Sequence, residues 1–193
     1  MAANRGYNST SAGTRLRLIE AASEILDEEG YPAFTARRIA GRAELKPQLV
    51  HYYFRSMEEL VVTVFRRSSA SYFRLHDEAL SSARPLHALW DLNCNIPEAR
   101  RMLEYVALGK IYPALRDEMR ASGESFRALQ IEVIEKVCAQ NGIATPPMPA
   151  AVLATMMSAL ARSIVIESNV AMTTAHREIR DYIGATLDLY EPG

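Results

Sequence analysis

Only two cysteines occur in 193 residues, Cys94 and Cys138, and neither has another cysteine or a histidine at metal-ligand spacing. That fits a reducing compartment better than a disulfide-stapled secreted scaffold. No run approaches the roughly 18 consecutive apolar residues of a membrane span. The N-terminal MAANRGYNSTSAGT also lacks the apolar centre of a secretory signal. The expected location is therefore the cytoplasm, with no membrane partner. The Asn8-Ser9-Thr10 sequon is read as chance, inside a disordered tail. Alternating strand patterns and internal repeats are missing, as are GxSxG, P-loop and dinucleotide-glycine motifs. The histidines, His51, His76, His87 and His176, form no close HxxxH pair. An enzyme, a metal site or a cofactor thus has no positive support. Cys94 is the one candidate nucleophile, and between Asn93 and Asn95 it reads as a small buried hydrophobe.

What is there is helical periodicity, broken by proline and glycine. The pattern gives an all-α chain with helices over about Thr14–Glu29, from Thr35, from Pro47 and from Ser56 towards Leu80. Further helices follow over Pro85–Trp90, Pro97–Ala107, Pro113–Gln140, Ala150–Glu167 and Thr174–Leu189, with Ser122-Gly123 as a candidate bend. Charge is uneven. Residues 1–74 carry 11 Lys/Arg against 8 Asp/Glu, a net of +3, and residues 75–193 carry 11 against 15, a net of −4. A basic first part on an acidic remainder places a polyanion site at one end.

That end holds TARRIAGRAELKPQLVHYYFRSMEEL, from Thr35 to Leu60. Thr35 caps a helix whose apolar face is Ile39, Ala40 and Ala43. A short connection, Glu44-Leu45-Lys46, leads to a second helix opened by Pro47, where a missing N–H leaves no bond unmade. Val50, Tyr53 and Phe54 fall on its inner face, which sends Gln48, His51, Tyr52 and Arg55 outward. Two short helices, a tight turn and a polar outer face meet the requirements of major-groove reading. From Thr35 to Arg55, five cations (Arg37, Arg38, Arg42, Lys46, Arg55) stand against Glu44, a net of +4. Gln48 suits bidentate pairing with adenine, and Lys46 suits guanine or a phosphate. Thr35 at its helix N-terminus suits a phosphate clamp, and His51 and Tyr52 suit phosphates and thymine methyls. Arg37 and Arg38 suit base edges or backbone.

The segment resembles the DNA-binding domain of the tetracycline-repressor (TetR) family, at Thr35, Ile39-Ala40, Ala43, Tyr52-Tyr53-Phe54 and Glu58-Glu59-Leu60. It departs where Glu44 replaces a turn glycine, Lys46 a capping Ser or Thr, His51 the commonest tyrosine and Met57 a frequent lysine. The resemblance implies a three-helix domain over 12–72, with the helix-turn-helix at 34–53, joined to a helical ligand-binding and dimerisation domain over 73–193. The expected partners are duplex DNA with a palindromic operator, a second copy of the chain, and a small apolar effector that releases the repressor. A ligand-insensitive DNA-binding or interaction protein is the alternative, and a helical enzyme with a vestigial motif a third.

In that second part, Trp90, Met102, Tyr105, Phe126 and Met156, with Met119 and Met157, are candidates to line an apolar pocket, or simply form ordinary core. The helix from Ala150 is apolar nearly all round. With the stripe on the last helix it predicts a two-fold interface through Val152, Met156, Leu160, Ile164, Ile179, Tyr182, Ile183 and Leu187, or else burial within the chain.

Overall fold

The computed structural model describes residues 3–94 and 96–192, with the side chains of 3–10 and 96–99 left aside; Met1, Ala2, Asn95 and Gly193 lie outside it. Among the described residues the chain is all-α. The helices are α1 (Ala3–Glu28), α2 (Ala36–Arg42), α3 (Pro47–Tyr53), α4 (Met57–Leu80), α5 (Pro85–Asn93), α6 (Ile96–Gly109), α7 (Pro113–Gln140), α8 (Ala150–Ser168) and α9 (His176–Asp188), with one 3-10 turn at Tyr31–Ala33. Boundaries follow the breakers closely. Two expectations change. Residues 3–13, expected as a disordered tail, continue α1; no proline interrupts 3–28, and extending an existing helix is far easier than starting one. Ser122-Gly123 does not interrupt α7.

The chain divides into two compact units, residues 1–69 with 101–119, and residues 70–100 with 120–193. In the first, Leu18, Ile25 and Leu26 of α1 pack with Ile39 and Ala40 of α2, Val50 and Phe54 at α3, and Leu60, Val64 and Phe65 of α4. Phe34 plugs this core, and Tyr105, Leu108 and Leu115 complete it. Tyr105 meets Phe65 edge-on, with centroids 5.0 Å apart. Polar ties join the same pieces: Arg101 grips Asp27 with two hydrogen bonds of 2.6 and 2.7 Å. The Tyr31 N–H donates to Glu104 at 2.6 Å. Gly30 fits this corner because its φ of 77° is left-handed and a Cβ there would sit 3.2 Å from the Glu104 carboxylate.

The second unit is built around Leu86, Leu89 and Trp90 of α5, Ile134 and Val137 of α7, Leu153, Met157 and Ile164 of α8, and Ile183, Leu187 and Tyr190. Arg84, at the N-cap of α5, offers no side-chain acceptor. The buried Glu191 carboxylate supplies one, accepting from the Leu86 N–H at 2.8 Å and from the His87 ring at 2.7 Å. Helix α8, 19 residues long with a mean hydropathy of 1.5 over its best window, is long and apolar enough to cross a membrane by length and composition. Its Leu153, Ala154, Met157, Ala161, Ile164 and Val165 are buried. It is not buried all round, as its sequence suggested: Val152, Thr155, Ala159, Arg162 and Ile166 form one exposed stripe.

The expected two-fold interface therefore needs correction. Ile164, Ile183 and Leu187 are 0 % exposed within the single chain, so they hold its core and offer nothing to a partner. Leu160 and Ile179 are half-buried against that core and Met156 is half-buried. Of the predicted residues only Val152 (46 %) and Tyr182 (63 %) are substantially exposed.

Candidate DNA-binding interface

Helix α2 begins at Thr35, whose extended backbone (φ −127°, ψ 150°) turns its hydroxyl to accept from the Arg38 N–H at 3.3 Å. It ends in a Schellman motif, with the Leu45 N–H on the Ala40 carbonyl at 2.8 Å and the Glu44 N–H on the Gly41 carbonyl at 3.1 Å. Glu44 takes the left-handed position with φ 55°. Lys46 is the N-cap of α3 and makes no side-chain cap, while Pro47 opens the helix as expected. Ser56 and Glu59 then start α4. The Glu59 N–H donates to the Ser56 hydroxyl at 3.1 Å, and the Glu59 carboxylate accepts from the Arg55 N–H at 2.8 Å rather than from Ser56 itself.

This framework decides which side chains reach solvent. Val50 and Phe54 are 1 % exposed, and Tyr53 is half-buried. Thr35, Arg37, Arg38, Lys46, Pro47, Gln48, His51, Tyr52 and Arg55 are all exposed. Tyr52 stands out at 71 %, edge-on to Tyr53 with centroids 5.0 Å apart. Thr35, Arg37, Arg38, Gly41, Arg42 and Glu44 line a common groove.

The five cations are not equivalent, which spacing alone did not reveal. Arg42 bonds Glu28 and Glu29 at 2.8 Å each and Glu24 at 3.4 Å, and Arg38 bonds Glu29 at 2.7 Å. The hydrogen bond from Arg38, with the charges of both arginines, holds the Glu29 carboxyl below its ordinary pKa against the opposing effect of desolvation. Arg37, Lys46 and Arg55 have no ion pair among the described residues. Two arginines of α1 also shape the site: Arg17 donates to the Ala43 carbonyl inside the turn, and Arg15 lies 4.8 Å from the Phe54 ring centroid, a cation–π contact. The Arg-x-Arg pair ahead of an apolar stripe is the only trace of them in the sequence.

The other candidates fall apart by location. Tyr105 is buried in the core of the first unit, where Met102 is 39 % exposed and Met119 packs on the core. Trp90 and Met157 are buried in the core of the second unit, and Met156 and Phe126 are half-buried there. Cys94 and Cys138 are both buried. Burial, with Asp91 nearby and Arg180 opposing, pushes the Cys94 thiol up to about 11, the opposite of what a nucleophile needs. Among the described residues no group of three His, Cys, Asp or Glu side chains gathers as a metal site.

Residues 18–64 match the sequence model described as bacterial regulatory proteins, tetR family. Residues 18–64 therefore form a domain of the tetR-family type. Solved structures resemble the chain over almost all of its length. A Saccharomonospora viridis protein in complex with choline has TM-score 0.78 and 20 % identity, covering 92 % of this chain and 96 % of that one. A TetR transcription regulator of Haloarcula marismortui has TM-score 0.75 and 18 % identity, covering 92 % and 97 %. A transcriptional regulator of Rhodococcus sp. Rha1 has TM-score 0.69 and 20 % identity, covering 92 % and 93 %. At these identities the likeness is one of fold. No curated protein matches the sequence.

Proposed function

We propose that this TetR-type regulator is a cytoplasmic, non-enzymatic repressor that binds a palindromic operator as a homodimer and leaves it when a small effector binds residues 73–193. The observation that carries the DNA reading is the solvent-facing set Gln48, His51 and Tyr52 on α3, flanked by the unpaired Lys46 and Arg55. Polar side chains near the start of a short exposed helix suit base edges in the major groove, and cations at its ends suit phosphates. Thr35 and Arg37 give a second phosphate contact from the start of α2.

A homodimer is supported by two exposed stripes. Small residues, Thr155 and Ala159, lie with Arg162 between Val152 and Ile166 on α8, and Tyr182 and Ala185 precede Leu189 at α9. Small residues let two helices approach closely, and the apolar side chains at their ends gain from burial. The choline complex of the Saccharomonospora viridis protein supports a small molecule as the effector class. Release follows from linkage: an effector that prefers the state unable to span both half-sites weakens DNA binding by its differential affinity.

The test is binding-site selection on random duplexes. A two-fold symmetric consensus is expected, and Gln48→Ala should relax one base pair per half-site by about 1–3 kcal/mol. Thr35→Ala should instead weaken all sequences alike. An unchanged consensus for Gln48→Ala removes Gln48 from the groove, and no selected consensus at all overturns the DNA reading.

A further inference from the structure

We propose that Tyr72, His76, Asn93 and Phe126 of the second unit form a binding site for a flat, uncharged molecule bearing a carbonyl beside a hydroxyl or N–H group. The proposal rests on the reading that a small effector is received outside the DNA-binding module, extends that part back to Tyr72, and names the chemistry of the effector.

The unusual feature is His76. It is 0 % exposed, and neither ring nitrogen has a hydrogen-bond partner among the described residues. Buried polar groups are nearly always paired, because an unpaired one loses water and regains nothing. A leucine at this position would fill similar space without that penalty. Burial also holds the imidazole below its ordinary pKa, against the raising effect of Asp77, so the ring is neutral at pH 7. A neutral imidazole offers one donor and one acceptor.

Its surroundings are aromatic. Tyr72 lies one turn before His76 on α4, and the Phe126 ring of α7 touches both, at centroid distances of 5.0 and 5.7 Å. Phe126 also stacks on Phe73 at 3.8 Å, which fixes its plane. The Tyr72 hydroxyl donates to Asn93 Oδ1 at 3.0 Å and thereby orients the amide. The Asn93 Nδ2 on the other side of that amide is buried without a partner among the described residues. The unpaired groups therefore ask for acceptors at His76 and Asn93 and one donor at His76, against ring edges and faces. None of the four side chains carries a formal charge at pH 7, and the neighbouring Asp77, which acts on His76, would repel an anion, so a neutral ligand gives up least on leaving water. A carbonyl next to a hydroxyl or N–H on a planar frame fits all of these demands.

The experiment uses the full chain with 2-hydroxybenzamide, 2′-hydroxyacetophenone and 7-hydroxycoumarin as probes, and benzoate and choline as charged comparators. Binding is followed by calorimetry and by ¹⁵N-histidine NMR of the ring nitrogens. At least one neutral probe should bind and shift the His76 nitrogens. His76→Leu and Asn93→Leu should each weaken it by at least about tenfold, as expected for lost hydrogen bonds in a closed site. If either variant fails to fold, the NMR shift in the wild-type protein decides alone. The proposal is overturned if no neutral probe moves the His76 signals or if benzoate or choline binds there more tightly. It also fails if His76→Leu leaves affinity unchanged while raising Tm, which marks an ordinary core histidine. Operator binding without probe is measured in parallel. Its loss overturns the DNA reading, whereas failure of the probes with operator binding intact overturns only this site.

Discussion

Glu44 occupies a corner that favours glycine. Its φ of 55° closes the Schellman motif of α2, the same role that Gly142 fills after α7 with φ 66°. A left-handed backbone costs an L-residue about 1–2 kcal/mol, and glycine gives back part of that through its freer unfolded chain. The pairing of Glu44 with Arg17 is long, at 3.9 Å, and exposed, so it offsets little. Glu44→Gly should therefore stabilise the first unit by about 0.5–1 kcal/mol in denaturant titration; a loss of stability would show that the carboxylate has a role in the turn. Two residues on, Lys46→Ser should add about 1 kcal/mol by capping α3. The same substitution should weaken operator binding if Lys46 holds a phosphate, and unchanged affinity would remove it from the contacts. Both departures from the family pattern were visible in the sequence. That Glu44 keeps the left-handed turn despite its Cβ was not, because only backbone angles show it.

At the scale of elements, breakers made the helices legible: Pro47, Pro85 and Pro113 each stand at a helix start, and Asn141-Gly142 follows the end of α7. The faces were less legible. On α8 and α9, apolar residues serve the core and the outer surface at once, and hydrophobicity alone does not sort them. Ile183 and Tyr182 are neighbours, yet one is 0 % and the other 63 % exposed. Ile183→Glu should therefore unfold the second unit, since a buried unpaired carboxylate costs several kcal/mol. Tyr182→Glu should keep the fold and, at a two-fold interface, yield monomers in sedimentation. A folded Ile183→Glu protein, or a Tyr182→Glu dimer, would contradict this division of roles.

For the whole molecule, the sequence shows five cations in the candidate DNA-facing segment, whereas the structure leaves three outside ion pairs among the described residues. Each phosphate neutralised contributes about −0.9 to the slope of log K against log salt. A dimer using Arg37, Lys46 and Arg55 should show a slope of about −5; a slope of about −9 would mean that Arg38 and Arg42 abandon their glutamates on DNA. The glutamates that hold them, Glu24, Glu28 and Glu29, sit outside the recognisable motif, so counting charge within it overstated the field. Acid should act in two stages. The His76 pKa is lowered by burial, so the folded state binds fewer protons than the unfolded chain just below the ordinary histidine value of about 6.5. That contribution to stability is complete above about pH 6.5 and is lost as pH falls. Glu29, Glu118, Glu167 and Asp188, held low chiefly by hydrogen bonds from Arg38, Arg66, His176 and Arg84, lose theirs only below the ordinary carboxylate range. His76→Leu should remove the upper stage alone, read from denaturation midpoints between pH 8 and 5.

The first unit draws on two separate stretches of chain, 1–69 and 101–119. Anyone building a chimaera by joining the first 72 residues to another regulator's body would carry over the motif but leave part of its support behind. Phe65 would lose the Tyr105 ring, Asp27 the Arg101 fork, and the Tyr31 N–H its carboxylate. A transplant of specificity from this protein should therefore bring residues 101–119, or equivalents of Arg101, Glu104 and Tyr105, along with the helix-turn-helix.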